Sequence, residues 1–275
     1  MKQLFHITKE TMADASVFNL FFVIGDKHCC FGILENSSQA LQQVTYYILD
    51  GRNEFALDEV FEKHPELNAT FNETKVSYYY PEALLSPSHI SNFENAEAML
   101  DSLYGPSFNQ VINSENIGEW QINNSYAIPE KIHQFLCNKY RQGKFFHEYS
   151  VVLRKLLTET GHTDSLIIDF IPDQFAVYVI QNGQFKFAQK QDYKNAEDLI
   201  YFLVKLCDQF SIDRQKIKLL ISGLIDKDSG IFNSLQQYFI DIEFRKMRRE
   251  IKMDENIHNE PAHYFVSLFN LSTCE

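Results

Sequence analysis

Two stretches of the chain share one pattern of apolar and polar positions. The first is residues 18–36, FNLFFVIGDKHCCFGILEN, and the second is residues 165–183, SLIIDFIPDQFAVYVIQNG. When Ile24 is set against Ile171, each copy shows an apolar run, a break that contains an Asp, a second apolar run and a polar turn. Short apolar runs between turn residues are typical of buried β-strands. The repeat therefore predicts a duplicated α/β domain.

A third strand, a helix and a further strand follow the repeated hairpin in each copy. Strands joined by such short turns pair antiparallel, whereas strands separated by helices indicate parallel pairs and a mixed sheet flanked by helices. In the first copy we predict strands at 18–24, 28–35, 40–49 and 75–80 and helices at 55–64 and 91–103, with Ser91 as the N-cap of the second helix. In the second copy we predict strands at 165–171, 174–180, 184–189, 216–221 and 241–244, helices at 195–210 and 228–238, and a closing helix at 262–269.

The repeat sets the expected domain boundaries. Residues 1–160 form the first predicted domain, and residues 161–275 form the second, which ends in the closing helix. Residues 105–148 interrupt the first domain as an irregular insertion whose role the sequence leaves open. In and after this insertion we predict strands at 109–113, 119–127 and 144–147 and helices at 129–140 and 149–160.

Charge and cysteine usage narrow the classes of partner. The formal net charge of −12 disfavours binding to nucleic acid, because that affinity depends on Lys and Arg neutralising phosphates. The five cysteines are odd in number and form no CxxC pair, which indicates a reducing compartment. No apolar run reaches the roughly 18 residues of a spanning helix. We therefore expect a cytoplasmic protein without a membrane span.

Two clusters are candidate contact surfaces. The basic residues within 245–252 form either a solvated face, paired with nearby acids, or a contact for RNA, a phosphate or an acidic partner. The run Tyr78-Tyr79-Tyr80 predicts a strand with two aromatic side chains pointing outward. The nine histidines show no metal-ligand spacing, and no P-loop or nucleophile-elbow motif is present.

Three antiparallel strands followed by helix, strand, helix and strand is an order similar to that of the ribonuclease H-like domain. Two such domains in tandem resemble the actin-like ATPase superfamily, and the resemblance covers residues 16 to 250. The stretches Tyr78–Leu85 and Leu220–Gly223 are similar to a family of bacterial proteins of unknown function with that fold. The resemblance implies an α/β fold of two ribonuclease H-like domains, each a mixed sheet flanked by helices, with a ligand cleft between them.

The resemblance also implies where a nucleotide would bind. Asp169 falls where the superfamily has a Mg²⁺-associated Asp, but Ile171 and Pro172 replace the small residues that follow it, and Pro has no N–H to donate. Ser222-Gly223 stands where the superfamily has a Gly-Gly turn. Asp169, Ser222 and Gly223 are therefore the candidate cofactor-binding residues. The structural alternatives are a strand-end Asp satisfied by backbone N–H groups and a tight strand-to-helix turn.

The first copy departs further from the superfamily pattern. Its position equivalent to Asp169 is Phe22, and Asp26 and Asp173 occupy matching turn positions where Asp is a routine turn residue. We therefore expect a non-catalytic, degenerate actin-like protein that acts as a binding or scaffold module for a protein partner, without a catalytic residue, metal or cofactor. The alternative is a divergent ATP-binding protein or small-molecule kinase that uses the cleft, and it would require ATP and Mg²⁺. A third reading is an RNA-associated protein that uses residues 245–252.

Overall fold

The computed structural model describes residues 1–9, 14–50, 56–90, 95–106, 108–161, 163–246, 251–252 and 261–274. The chain divides into two compact units. The first unit comprises Met1–Arg154, Arg248–Asn259 and Leu268–Glu275, and the second comprises Lys155–Met247 and Glu260–Ser267. The predicted domain division between residues 160 and 161 stays a prediction.

The first unit is built on a six-stranded mixed sheet and a three-stranded antiparallel sheet. Its strands are β1 Lys2–Thr8, β2 Phe18–Gly25, β3 His28–Glu35, β4 Leu41–Ile48, β5 Glu73–Tyr79, β6 Ala83–Pro87, β7 Gln110–Ile117, β8 Ile122–Pro129 and β9 Lys144–His147. Its helices are α1 Ala56–Lys63, α2 Ala96–Tyr104 and α3 Glu130–Lys139, and α4 Glu148–Thr160 begins in it. The larger sheet has the order β1-β4-β3-β2-β5-β9. Along this order, the neighbours among β1, β4, β3 and β2 pair antiparallel. The neighbours among β2, β5 and β9 pair parallel.

The second unit has one five-stranded sheet, which repeats the larger sheet of the first unit with one strand fewer. Its strands are β10 Ser165–Ile171, β11 Gln174–Gln181, β12 Gln184–Asp192, β13 Lys218–Gly223 and β14 Asp241–Phe244, and its helices are α5 Ala196–Gln209 and α6 Gly230–Gln236. The order β12-β11-β10-β13-β14 matches β4-β3-β2-β5-β9, with three antiparallel strands beside two parallel additions. This correspondence confirms the predicted fold class of two ribonuclease H-like sheets.

The strand β10 is buried on both faces, as its continuous apolar sequence predicts. Leu166, Ile168 and Phe170 pack into the main core of the unit, together with apolar residues of α5 and α6. Since side chains alternate along a strand, Ile167, Asp169 and Ile171 lie on the opposite face. The sequence thus places one carboxylate among apolar neighbours on the second face.

The irregular insertion contains regular structure. Within 105–148 the strands β7 and β8 pair antiparallel along their whole length, and β6 pairs with the other edge of β8. Among the strands of the described residues, the edge strand β1 and the short β6 were not predicted. The predicted N-cap Ser91 lies outside the described residues, and the helix α2 begins at Ala96.

Two expectations about particular segments are wrong. The closing segment is not one helix, because a 3-10 turn at Ala262–Phe265 precedes the short helix α7 Val266–Asn270. The side chains of Tyr78, Tyr79 and Tyr80 are all buried and offer no aromatic contact surface. The strand β5 pairs with β2 and β9 inside the sheet, and its residues are buried on both faces.

Candidate functional site

Asp169 is the carboxylate on the second face of β10, and its residue is only 2% exposed. The parallel neighbour β13 places Ser222 directly beside it in register. The Ser222 hydroxyl donates a hydrogen bond to Asp169 Oδ1 at 2.8 Å. The structure therefore brings together two of the three predicted site residues through the strand register alone.

The second carboxylate oxygen is held by a residue distant in sequence. The Ser267 hydroxyl, in α7, donates to Asp169 Oδ2 at 2.7 Å across a separation of 98 residues. Both oxygens of Asp169 thus accept hydrogen bonds from hydroxyls, which offsets much of the cost of burying a carboxylate. The sequence contained no local signal for Ser267, because its role depends on where α7 packs.

Arg245, which is itself buried, links the site to Glu159, whose side chain is 26% exposed. Its Nη1 donates to Ser222 Oγ at 3.3 Å, while Nε and Nη2 each bind a carboxylate oxygen of Glu159 at 3.0 Å. This two-point contact is the geometry that a guanidinium offers a carboxylate. The Ser222 hydroxyl consequently donates to Asp169 and accepts from Arg245, and it is engaged in both directions.

These contacts correct the interpretation of Arg245 as part of a basic surface. Arg245 is 4% exposed and ion-paired, so it belongs neither to a solvated face nor to an RNA contact. Lys246 and Lys252 are exposed. Arg248 and Arg249 lie outside the described residues.

Gly223 has a structural reason to be glycine. Its φ is +82°, and a Cβ built on it would lie 2.0 Å from the Phe170 carbonyl oxygen. The same carbonyl accepts a hydrogen bond from the Leu224 N–H at 2.8 Å. The chain can leave β13 along this path only without a side chain at Gly223. This close approach of backbone to backbone accounts for the residue without a ligand.

The first copy has no counterpart of the polar pair. In the same register of the larger sheet, Phe22 stands beside Val76, and both are fully buried. Asp26 and Asp173 lie in the two hairpin turns, and Asp173 has φ +57°, a conformation that Asp adopts more readily than most residues. The turn interpretation of Asp173 is confirmed. Asp26 Oδ1 is buried, and it has no hydrogen-bond partner among the described residues.

The first unit contains a second buried polar cluster, which the sequence did not predict. His147 Nε2 donates to the Tyr80 carbonyl at 3.0 Å, and its Nδ1 accepts from the Asn124 amide at 3.2 Å, which fixes one neutral tautomer. Glu115 accepts from the His147 N–H at 2.6 Å and pairs with Arg154 at 3.2 Å. Burial raises the pKa of Glu115 above its usual range. These contacts fasten β7, β8 and α4 together.

The chemical capacity of the Asp169 network is limited. A Mg²⁺ ion at Asp169 would have to compete with the hydroxyls of Ser222 and Ser267 for the carboxylate oxygens. The described residues contain no group of three or more His, Cys, Asp or Glu side chains that could hold a metal ion. No helix in the described part of the chain has the length and apolar character that a membrane span needs.

The duplicated sheet order defines a protein of the actin-like ATPase fold. The chain belongs to the DUF3822 family of proteins of unknown function, whose model matches residues 8–242. A crystal structure from Bacteroides thetaiotaomicron VPI-5482, described as a protein with actin-like ATPase fold and unknown function, is similar with 16% identity and a TM-score of 0.79, covering 95% of this chain and 97% of that one. A PilM-PilN type IV pilus biogenesis complex is similar with 11% identity and a TM-score of 0.66, covering 92% and 97%. The comparison with curated proteins found no match.

Proposed function

We propose that this protein is a non-catalytic protein of the actin-like ATPase fold that acts as a binding or scaffold module. The observation that carries the proposal is the burial and hydrogen bonding of Asp169. Both of its oxygens accept hydrogen bonds from serines, in a residue that is almost entirely buried. A carboxylate that served a metal–nucleotide complex would need an oxygen facing the ligand.

The first copy supports the same proposal. Phe22 and Val76 fill the positions that correspond to Asp169 and Ser222, so the repeat offers a metal or a phosphate no polar group there. In the second copy Pro172 lacks the N–H that a phosphate-binding turn would donate. The close approach of the Phe170 backbone explains why residue 223 is a glycine, so this glycine is not evidence for a nucleotide site.

A protein partner is part of the proposal. One similar solved structure is a complex of two proteins, PilM and PilN, and this supports a protein ligand as the class to test first. The net charge of −12 makes nucleic acid a poorer candidate. The five cysteines, all without a disulfide, are compatible with the reducing cytoplasm that we propose as the location.

The test is isothermal titration of the purified chain with ATP and Mg²⁺, alongside Asp169→Asn and the control Asp173→Asn. Asn fits the left-handed turn position of Asp173, so that control removes a carboxylate with little strain. We expect no saturable heat at millimolar ATP for any of the three proteins. Saturable binding that Asp169→Asn abolishes and Asp173→Asn retains would instead establish the alternative, an ATP-binding protein or kinase.

A further inference from the structure

An exposed apolar patch lies where the helix α2 ends and the chain turns toward β7. Leu103 is 61% exposed, Tyr104 is 50% exposed and Phe108 is 80% exposed. Gly105 and Pro106 follow the helix, and the Phe108 N–H donates to the Pro106 carbonyl at 3.1 Å, so the three side chains start from one compact stretch of chain. Exposed apolar side chains that occur together mark a contact surface, whereas single ones are ordinary. We call Leu103, Tyr104 and Phe108 the α2 patch.

Tyr104 is held in place by the neighbouring sheet. Its hydroxyl donates to the Ala83 carbonyl of β6 at 3.0 Å. This hydrogen bond fixes the ring, although half of the residue surface is exposed. A ring that is already fixed loses little conformational freedom when a partner covers it. The α2 patch is therefore prepared for binding before a partner arrives.

The segment that carries the patch contains acidic residues and no Lys or Arg. Residues 76–130 hold seven of the 37 acidic residues and none of the 25 basic ones, and the basic residues that flank them are Lys75 and Lys131. A fifth of the chain thus carries −7 of the formal net charge of −12. Arg154 of α4 pairs with one of the seven, Glu115. The remaining charge gives this segment a potential that attracts cations.

The helix α2 directs part of this charge toward the patch. Glu97, Asp101 and Tyr104 are spaced four and three residues apart, so they lie on one face of the helix. Partial burial raises the pKa of Tyr104, and the nearby Glu82 carboxylate adds to the rise, although the bond to Ala83 opposes it. The last turn of α2, which the structure describes in full, holds no basic residue to complement the negative end of the helix dipole. Apolar and negatively charged groups therefore meet at the end of α2.

We propose that the α2 patch binds a basic segment of a partner protein. An apolar side chain of the segment packs against Leu103 and Phe108, and Lys or Arg side chains beside it pair with Glu97 and Asp101. A cation can also lie over the exposed ring of Phe108. The apolar contact supplies most of the affinity, while the charges add specificity and speed association. The inference deepens the proposed binding role by naming the chemistry of the partner, and to that extent it rests on that role.

The test selects a random dodecapeptide display library on the intact chain, with Phe108→Ser for counter-selection. We expect enriched peptides with three or more Lys or Arg around a Leu, Ile, Phe or Trp. Synthesised with a fluorophore, these peptides should bind Phe108→Ser about tenfold or more weakly than the wild type. The matched control is Ile240→Ser in the second unit, which removes a side chain from a residue that is 73% exposed and should leave the affinity unchanged.

A second pair of variants tests the charge. Glu97→Gln/Asp101→Asn removes two carboxylates of α2, and the control Asp58→Asn/Glu62→Gln removes two at the same spacing from α1, where both residues are exposed. We expect the α2 variant to weaken binding severalfold and to reduce its salt dependence, and the α1 variant to do so clearly less. Thermal melts of each variant verify folding.

Four results overturn the proposal: no enriched peptide, enriched peptides without net positive charge, equal affinity for the wild type and Phe108→Ser, or equal losses in the two charge variants. Equal losses would mean that the net charge of the whole chain attracts the peptides. A wild-type dimer that Phe108→Ser converts to a monomer in sedimentation also overturns it, because the patch would then bind a second copy. Titration with ATP tests the non-catalytic role separately, so the failures of the two proposals are distinguishable.

Discussion

Arg245 is a buried cation whose contacts a single substitution can test. It is buried and holds Glu159 by two hydrogen bonds while contacting Ser222. Arg245→Met removes the buried cation and its hydrogen bonds, but the Glu159 side chain it leaves is 26% exposed, so we expect a loss of about 1.5 kcal/mol in the free energy of unfolding. Lys246→Met, at the exposed neighbour, should change it by less than about 0.5 kcal/mol. Urea unfolding followed by circular dichroism measures both, and equal effects would contradict a stabilising role for the contacts of Arg245.

Gly223 offers a second test at the scale of one residue. Gly223→Ala forces a Cβ against the Phe170 carbonyl at a positive φ, whereas Gly161 has φ +55° with nothing within 4 Å of the added Cβ. We expect Gly161→Ala to cost about 1 kcal/mol from backbone strain alone, and Gly223→Ala to cost several times more. Melting temperatures of the two variants provide the comparison. Similar values would mean that the chain can leave β13 by another path.

Sequence could predict part of this site and not the rest. Asp169 and Ser222 lie near the ends of β10 and β13, so their adjacency follows from the parallel pairing of these two strands. Ser267 and Glu159 lie on helices whose positions depend on packing, and no periodicity specifies them. Arg245 was assigned to a basic cluster because its sequence neighbours are basic. The sequence alone does not show that its side chain is buried.

At the scale of elements, helix α5 illustrates what local sequence does determine. Its N-cap is Asn195, whose Oδ1 accepts from the Asp198 N–H at 2.8 Å, and Asp198 in turn accepts from the Lys194 N–H at 3.1 Å. Asn195→Ala removes one of these two bonds, so we expect a loss of about 1 kcal/mol in the free energy of unfolding. Asn195→Ser keeps a capping oxygen and should lose only a few tenths. An unchanged urea midpoint in Asn195→Ala would show that α5 is held by packing alone.

Most strands were predicted to within two residues at each end, since apolar runs between turn residues determine them, but one end of each of β7, β8 and β12 was missed by three or four residues. The missed strands lacked that signal. The strand β1 lies at the sheet edge and carries exposed polar and apolar residues alike, and β6 is only five residues long. Their pairing depends on β4 and β8, which a local pattern cannot show.

His263, in the 3-10 turn before α7, leads us to expect that stability depends on pH. Burial lowers the pKa of His263 below its ordinary value of 6.5, although its bond to the Ile225 carbonyl opposes this. Unfolding therefore takes up a proton, and stability falls as the pH drops below about 6.5. His263→Phe cannot titrate, so its urea midpoint should vary less between pH 8 and pH 5 than that of the wild type. Parallel pH profiles for the two proteins would contradict this assignment.

At the scale of the whole molecule, each unit has a sheet and an apolar core of its own, and we expect two unfolding transitions. The single tryptophan, Trp120, reports on the first unit, where its Nε1 donates to the Leu153 carbonyl at 2.7 Å. Circular dichroism reports on both units. Arg245→Met lies in the second unit, so it should move part of the dichroism transition to lower urea and leave the fluorescence transition in place. An equal shift of both signals would mean that the two cores unfold as one cooperative system, and every stability change predicted above would then refer to the whole chain.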